Sequence, residues 1–193
     1  MLEVFSKELP LALTSTLYRF QIDLSDVDRN LYQTLEFRAA MHPSESSPFF
    51  VTRILAYCLH YREGLEFSAG ISSPEEPAIR VMGPTGGIEL WIDIGNPAAR
   101  RVHKASKSAK ELAIYTHKDA QSLAKELREE KVHRLEEIGL YALDPRLLNA
   151  LGALIERDNH WEITRNEGEL YVGVGKESFQ GRLERLPLGD LSQ

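Results

Sequence analysis

The segment spanning residues 87–97, GIELWIDIGNP, constrains the fold more than any other part of the chain. Its apolar residues alternate with Glu89, Trp91 and Asp93, which is the period of a β-strand. A helix is predicted after Asn96, because a proline follows at its first position, and the strand-like segment LAIYTH (residues 112–117) comes next. A strand, a helix and a strand in this order predict a right-handed crossover between parallel strands, and therefore an α/β fold.

Glu89 and Asp93 fall on the same face of the predicted strand, four residues apart. An ideal strand rises ~3.3 Å per residue, so the two positions lie ~13 Å apart along it. Joint coordination of one metal ion therefore requires strand twist or a β-bulge. A half-exposed sheet face that carries solvated acids explains the pattern equally well, because charged groups are seldom buried without partners.

Periodicity, capping residues and turn residues predict the remaining elements. They comprise a hairpin of residues 17–24 and 31–39, a helix at 47–64, a loop at 71–87 with a short strand at 79–82, a helix at 119–133, a strand at 135–143, a helix at 145–157 and a hairpin over 160–174.

The length of 193 residues suits one domain, residues 1–193. The formal net charge of −6 argues against general coating of nucleic acid or of anionic membranes. A local basic patch is nevertheless predicted on the helix after Asn96, whose basic residues run from Arg100 to Lys110.

The single cysteine, Cys58, excludes an internal disulfide, and its apolar neighbours predict a buried thiol. The chain begins without a secretory signal pattern, and no segment approaches the ~18 apolar residues that span a bilayer. These features predict a cytoplasmic protein with no membrane partner. They carry no information on protein partners.

Several segments resemble, in the same order, the YaeQ family of small bacterial proteins. They are HPSES (residues 42–46), VTRILAY (51–57), LEFSAG (65–70) before the EEP loop (75–77), and GIELWIDIGNP before a basic helix. The resemblance covers roughly residues 14–185. It implies a variant of the PD-(D/E)XK nuclease-like core, an α/β fold with a mixed sheet flanked by helices, here with an N-terminal hairpin. Fold transfers more safely than function in such a comparison.

A nuclease of this kind uses carboxylates to bind Mg²⁺ or Mn²⁺, and a lysine to position water and stabilise charge. The resemblance places Glu45 at the helical acid, with Glu89 and Asp93 as the strand acids and metal ligands. It implies Mg²⁺ or Mn²⁺ as cofactor and no organic cofactor. It also implies that the three acids line one concave side of the sheet.

The chain departs from the nuclease pattern at the lysine, because Asp93 is followed by Ile94 and Gly95. A lysine relocated to the following helix would restore the chemistry, with Lys104 as the first candidate and Lys107 as the second. Alternatively, Glu89 is the second acid. The lysine position then holds Trp91, and Glu76 is the nearest substitute for the first acid.

Two functions therefore remain open. The first is metal-dependent phosphodiester cleavage, or nucleic-acid binding through the basic helix, with Glu45, Glu89, Asp93 and Lys104 at the site. The second is a noncatalytic adaptor or regulatory protein that keeps the fold without turnover. Whether the protein is an enzyme is undecided by the sequence.

Overall fold

The computed structural model describes residues 15–68 and 75–189. The strands are β1 (Thr16–Asp26), β2 (Leu31–Met41), β3 (Leu65–Phe67), β4 (Ile79–Met82), β5 (Ile88–Ile94), β6 (Ala109–Thr116), β7 (Gly139–Leu143), β8 (Asp158–Asn166), β9 (Glu169–Val174) and β10 (Glu177–Leu186). The helices are α1 (Ser47–Leu59), α2 (Ala99–Ser108), α3 (Ala120–Glu129) and α4 (Pro145–Ala153).

The ten strands form one mixed sheet in the order β2-β1-β8-β9-β10-β7-β6-β5-β4-β3. The pairs β1/β8, β5/β6 and β6/β7 are parallel, and the other pairs are antiparallel. The two ends of the sheet approach each other, because the Phe37 ring of β2 lies 5.6 Å from the Phe67 ring of β3. The Tyr57 ring of α1 lies 4.6 Å from each of them. The sheet is therefore nearly barrel-like.

Helix α1 fills the inside of the curved sheet. Its N-terminus is capped by Ser46, whose side chain accepts a hydrogen bond from the Phe49 amide. All ten residues from Phe50 to Leu59 are buried, and together with α4 they pack against the inward side chains of the strands. Helices α2 and α3 are amphipathic and cover the outside of β5, β6 and β7.

The two faces of β5 belong to different parts of the core. Leu90, Ile92 and Ile94 pack in the inner cluster with α1, whereas Trp91 packs in the outer cluster with α2. Since strand side chains alternate, Asp93 points to the outer side with Trp91. Side chains that contact α1 and side chains that contact α2 therefore lie on opposite sides of β5.

Local sequence patterns predicted much of this arrangement. The first hairpin, the strand at 79–82, the acidic strand, the hairpin at 160–174 and the parallel β5/β6 crossover are all confirmed. Residues 71–74 of the predicted loop lie outside the described residues. Cys58 is buried as expected, which raises the pKa of its thiol. No helix among the described residues is long and apolar enough to cross a membrane.

Other boundaries differ from the predicted ones. Helix α1 ends at Leu59 rather than residue 64, and α2 begins at Ala99, after Ala98 as its N-cap. The strand predicted at 135–143 divides into a 3-10 turn and β7. Helices α3 and α4 are shorter than predicted. Strand β10 was not predicted, because its exposed positions are strongly polar and its pairing with β7 is distant in sequence.

Gly181 in β10 is required by close packing against α4. A Cβ atom at this position would lie 2.8 Å from Leu147 Cβ. We expect Gly181→Ala to lower the free energy of unfolding by about 1–3 kcal/mol, since the backbone-proximal Leu147 atoms must shift. Gly173→Ala in the neighbouring strand β9 is the control, because its Cβ would meet Glu162 at an ordinary 3.5 Å. Chemical denaturation of both variants tests the difference, and equal stabilities would contradict the packing argument.

Candidate functional site

Glu45 lies in the short connection between β2 and α1, and both of its carboxylate oxygens are bonded within the protein. Arg53 Nε donates to Oε1 at 2.9 Å, and Arg53 Nη2 donates to Oε2 at 3.0 Å. The His42 backbone amide donates to Oε2 at 3.0 Å. The side chains of Glu45 and Arg53 are only 2% and 3% exposed. Glu45 is thus half of a buried ion pair.

Arg53 is held from several directions inside the curved sheet. Its Nη2 also donates to the Ala40 carbonyl oxygen at 2.6 Å, and its guanidinium lies 5.1 Å from the Phe50 ring and 5.4 Å from the Phe67 ring. Burial lowers the pKa of Arg53 and raises the pKa of Glu45, and in both cases it outweighs the attraction between the two groups. Each charge therefore depends on the other to remain in the core.

Asp93 forms a second ion pair on the outer side of the sheet. Its Oδ1 accepts from Arg101 Nη2 at 2.7 Å, and its Oδ2 accepts from Arg101 Nε at 2.8 Å. The Asp93 side chain is 4% exposed. The turn that positions this arginine includes Gly95 in the left-handed region at φ 85°, and α2 starts four residues later. The hydrogen bond from Arg101 to Asp93 raises the pKa of this guanidinium.

Arg101 also joins Asp93 to the segment before β4. Its Nη2 donates to the Glu76 carbonyl oxygen at 2.7 Å, and its guanidinium lies 5.5 Å from the Trp91 ring. Glu76, the alternative for the first acid, therefore contacts this site through its backbone. Trp91 stands in the alternative lysine position and contributes an aromatic surface for the arginine.

Glu89 and Lys104 lie in more exposed ion pairs. Glu89 Oε1 is 2.7 Å from Lys110 Nζ near the start of β6, and the Lys110 side chain is 73% exposed. Lys104 of α2 pairs with Glu75. Lys104 is thus a surface residue with an acidic partner other than Asp93.

The structure does not bring the three predicted acids together. Glu89 and Asp93 share the outer side of β5, but Glu45 is paired to α1 on the inner side, so the expected convergence on one concave face is wrong. The physical reason is that α1 and α2 pack on opposite faces of β5. Within residues 15–68 and 75–189, no group of three or more His, Cys, Asp and Glu residues is arranged to hold a metal ion.

Glu45 also borders an open pocket of about 270 Å³ beyond the end of β6. Its other lining residues are Ser44, Ser46, Phe49, His117 and Lys118. Burial, and secondarily the charge of Lys118, lowers the pKa of His117. The lowered pKa favours the neutral form of the imidazole, beside a lysine and an arginine-paired carboxylate.

The two arginines are the important residues that the sequence interpretation missed. Arg53 and Arg101 each follow their acid by eight residues, in the first turns of the next helix. An acid shortly before a helix with an arginine eight positions later is a signal that the sequence contains. This spacing predicts an ion pair only when the face of the helix that carries the arginine is known to point toward the acid.

Comparison with known proteins gives consistent matches over most of the chain. The family model described as YaeQ protein matches residues 11–183. The Escherichia coli (strain K12) protein named uncharacterized protein YaeQ is 28% identical over 174 residues, which cover 90% of this chain and 96% of that protein.

Two solved structures are also similar. The crystal structure of YaeQ protein from Xanthomonas axonopodis pv. citri has a TM-score of 0.82 and 30% identity, covering 89% of this chain and 98% of that one. The crystal structure of YaeQ protein from Pseudomonas syringae has a TM-score of 0.82 and 26% identity, covering 91% of this chain and 97% of that one.

Breaking the buried pair should cost far more than breaking an exposed one. We expect Arg53→Met to lower the free energy of unfolding by about 3–5 kcal/mol, because it leaves the Glu45 carboxylate buried and unpaired. Arg19→Met is the control, since Arg19 and Asp158 form a pair whose side chains are 62% and 66% exposed. Its loss should cost less than about 1 kcal/mol. Urea denaturation compares the variants, and a similar small loss in both would refute the structural role of Arg53.

Proposed function

The chain belongs to the YaeQ family, and we propose that it acts by noncatalytic binding, as an adaptor or regulatory protein on a nuclease-like scaffold. The observation that carries the proposal is the arginine held against each of the two buried acids. Both oxygens of Asp93 and both oxygens of Glu45 accept hydrogen bonds from a guanidinium.

A guanidinium stays protonated in proteins and offers five N–H donors in a fixed fork. At Glu45 and at Asp93 the guanidinium lies beside the carboxylate oxygens, in the place that a bound divalent cation would have to take. A metal ion would therefore have to displace a fixed positive charge before binding Asp93. At Glu45 it would also have to break a buried ion pair, whose loss is unfavourable by several kcal/mol.

The lysine position supports the same proposal. Catalysis in this chain would require a relocated lysine, and Lys104 instead pairs with Glu75, both side chains being more than 60% exposed. An exposed, acid-paired lysine is suited to surface contacts. The noncatalytic proposal therefore accounts for all four candidate residues with the contacts they already make.

We include the nuclease-like core in this proposal. Its support is the mixed sheet with helices on both sides and the acid-bearing strand β5 placed between β4 and β6. The acids of such a core would then have been kept as ion pairs that fasten α1 and α2 to their neighbours.

Metal binding and cleavage test the proposal directly. We expect the wild-type protein to leave single- and double-stranded DNA and RNA intact in Mg²⁺ or Mn²⁺. Calorimetric titration with Mn²⁺ should give the same result for the wild type and for Asp93→Asn, because Arg101 already neutralises this carboxylate. Asp158→Asn, at an exposed acid of β8, controls for weak surface binding of the ion.

Cleavage by the wild type that disappears in Asp93→Asn would overturn the noncatalytic proposal. So would Mn²⁺ binding that is lost in Asp93→Asn and retained in Asp158→Asn. Either result would mean that the cation displaces Arg101 from Asp93.

The exposed face of α2 favours nucleic acid as a partner. Arg100, Lys104 and Lys107 are exposed and follow a spacing of four and three residues, which places them along one helical face. Val102 and Ala105 are buried on the opposite side. Lysine and arginine on such a face contact phosphates and release counterions when they bind.

Substitution of one basic residue tests this second function. We expect Lys107→Ala to weaken binding to DNA or RNA equally for all sequences, and to reduce the dependence on log salt by about one phosphate contact. Lys125→Ala on α3 is the control, since Lys125 lies outside this face and pairs with Glu129. Fluorescence anisotropy at several salt concentrations measures both. No wild-type binding, or equal effects of the two changes, would exclude α2 as the interface.

A further inference from the structure

Three arginines converge on a second cavity, near the C-terminal end of α1. The cavity has a volume of about 310 Å³. It is lined by Arg29, Leu59, His60, Arg62, Tyr115, Tyr141 and Arg165. Among the described residues that line it, none is acidic, so the permanently charged side chains in the lining are the three arginines.

Two carboxylates pair with Arg29 and Arg165 and are not part of the cavity lining. Asp26 is fully buried, and its Oδ2 lies 3.8 Å from Arg29 and 3.4 Å from Arg165. Asp28 lies 3.0 Å from Arg165. One buried carboxylate is thus shared between two guanidiniums.

The shortest hydrogen bonds of Arg29 go to neutral backbone carbonyl groups. Its Nη1 donates to the Leu59 carbonyl oxygen and its Nη2 to the Tyr61 carbonyl oxygen, each at 2.8 Å. These bonds fix the guanidinium at the end of α1 without neutralising its charge. A rigid, incompletely neutralised guanidinium is a preorganised anion contact.

Arg62 completes the set from the more exposed side. It forms two hydrogen bonds with Glu111 of β6, at 3.1 and 2.7 Å. The Glu111 side chain is 58% exposed, so it can turn into solvent when another anion takes its place. Arg62 is therefore the arginine whose partner can be exchanged at the lowest cost.

His60 also lines the cavity. Burial, followed by the charges of Arg62 and Arg29, lowers the pKa of His60 to about 4. Arg165 acts in the same direction and Glu111 opposes it. The Tyr115 hydroxyl lies 2.8 Å from His60 Nδ1, within hydrogen-bond distance.

We propose that this cavity binds a phosphate group, either as inorganic phosphate or as the end of a small phosphate monoester. Three guanidiniums from the β1–β2 turn, the segment after α1 and the end of β8 match a dianion with several oxygen acceptors. The volume accommodates a small ligand only, at the lower end of ligand cavities. Glu45, Glu89 and Asp93 are not among the residues that line this cavity, and the proposal does not depend on the noncatalytic function.

Calorimetry at low salt with inorganic phosphate and with 5′-AMP tests the site and distinguishes the two sources. We expect the wild type to bind at least one of them. Arg62→Gln should weaken that binding by at least about tenfold, through loss of a charge-assisted contact. Arg80→Gln is the matched control, because Arg80 forms a comparable ion pair with Glu66 away from the cavity. Its affinity should be unchanged.

A second variant separates anion binding from the ion pair of Arg62. Glu111→Gln breaks the same pair but leaves the guanidinium, so it should retain or strengthen binding. NMR titration of His60 gives an independent measurement, since a bound anion should raise the pKa of its imidazole.

The proposal is overturned if the wild type binds neither compound, or if Arg62→Gln and Arg80→Gln weaken binding equally. It is also overturned if Glu111→Gln loses binding as Arg62→Gln does, because Arg62 would then act only through its ion pair. An unchanged His60 pKa at saturation would place the bound anion elsewhere.

Discussion

The burial of Arg53 is the constraint on which the rest of the structure depends. Helix α1 is enclosed by the curved sheet, and Arg53 is the single charged residue among the ten from Phe50 to Leu59. A charge in such a place must be paired and hydrogen-bonded. Glu45 and the Ala40 carbonyl supply these partners, which fixes the connection between β2 and α1. Both oxygens of Glu45 are consequently used to pair Arg53 in the core.

The outer side of the sheet also holds a buried acid paired with an arginine, Asp93 with Arg101, in different surroundings. Both oxygens of Asp93, like those of Glu45, accept hydrogen bonds from an arginine. This arginine is partly exposed and also contacts Trp91 and the Glu76 backbone. Glu45 thus ties α1 to the connection that precedes it, whereas Asp93 ties α2 to the outer side of β5. The basic groups that we propose for binding anions lie elsewhere, on the exposed side of α2 and in the arginine-lined cavity.

Strand and turn patterns predicted β5 and the first hairpin, because their alternation and their turn residues are local in sequence. The same alternation showed which face of β5 carries Asp93, but not which helix covers that face. Whether Glu45 and Asp93 meet depends on the packing of α1 and α2, and this is decided by the whole sheet. The end of α1 was also beyond local prediction, since Arg29, 30 residues before Leu59, bonds the carbonyls there.

The parallel pairing of β1 with β8 has a consequence for synthesis of the chain. Arg19 of β1 is aligned with Asp158 of β8, 139 residues later. The first hairpin therefore leaves the ribosome long before the strand that must lie beside it. Until then the apolar side of the hairpin lacks its final cover, and closing so long a loop slows folding. During synthesis the edge of β1 that later pairs with β8 is therefore open to pairing with another copy of the chain, whereas in the finished fold that edge is covered.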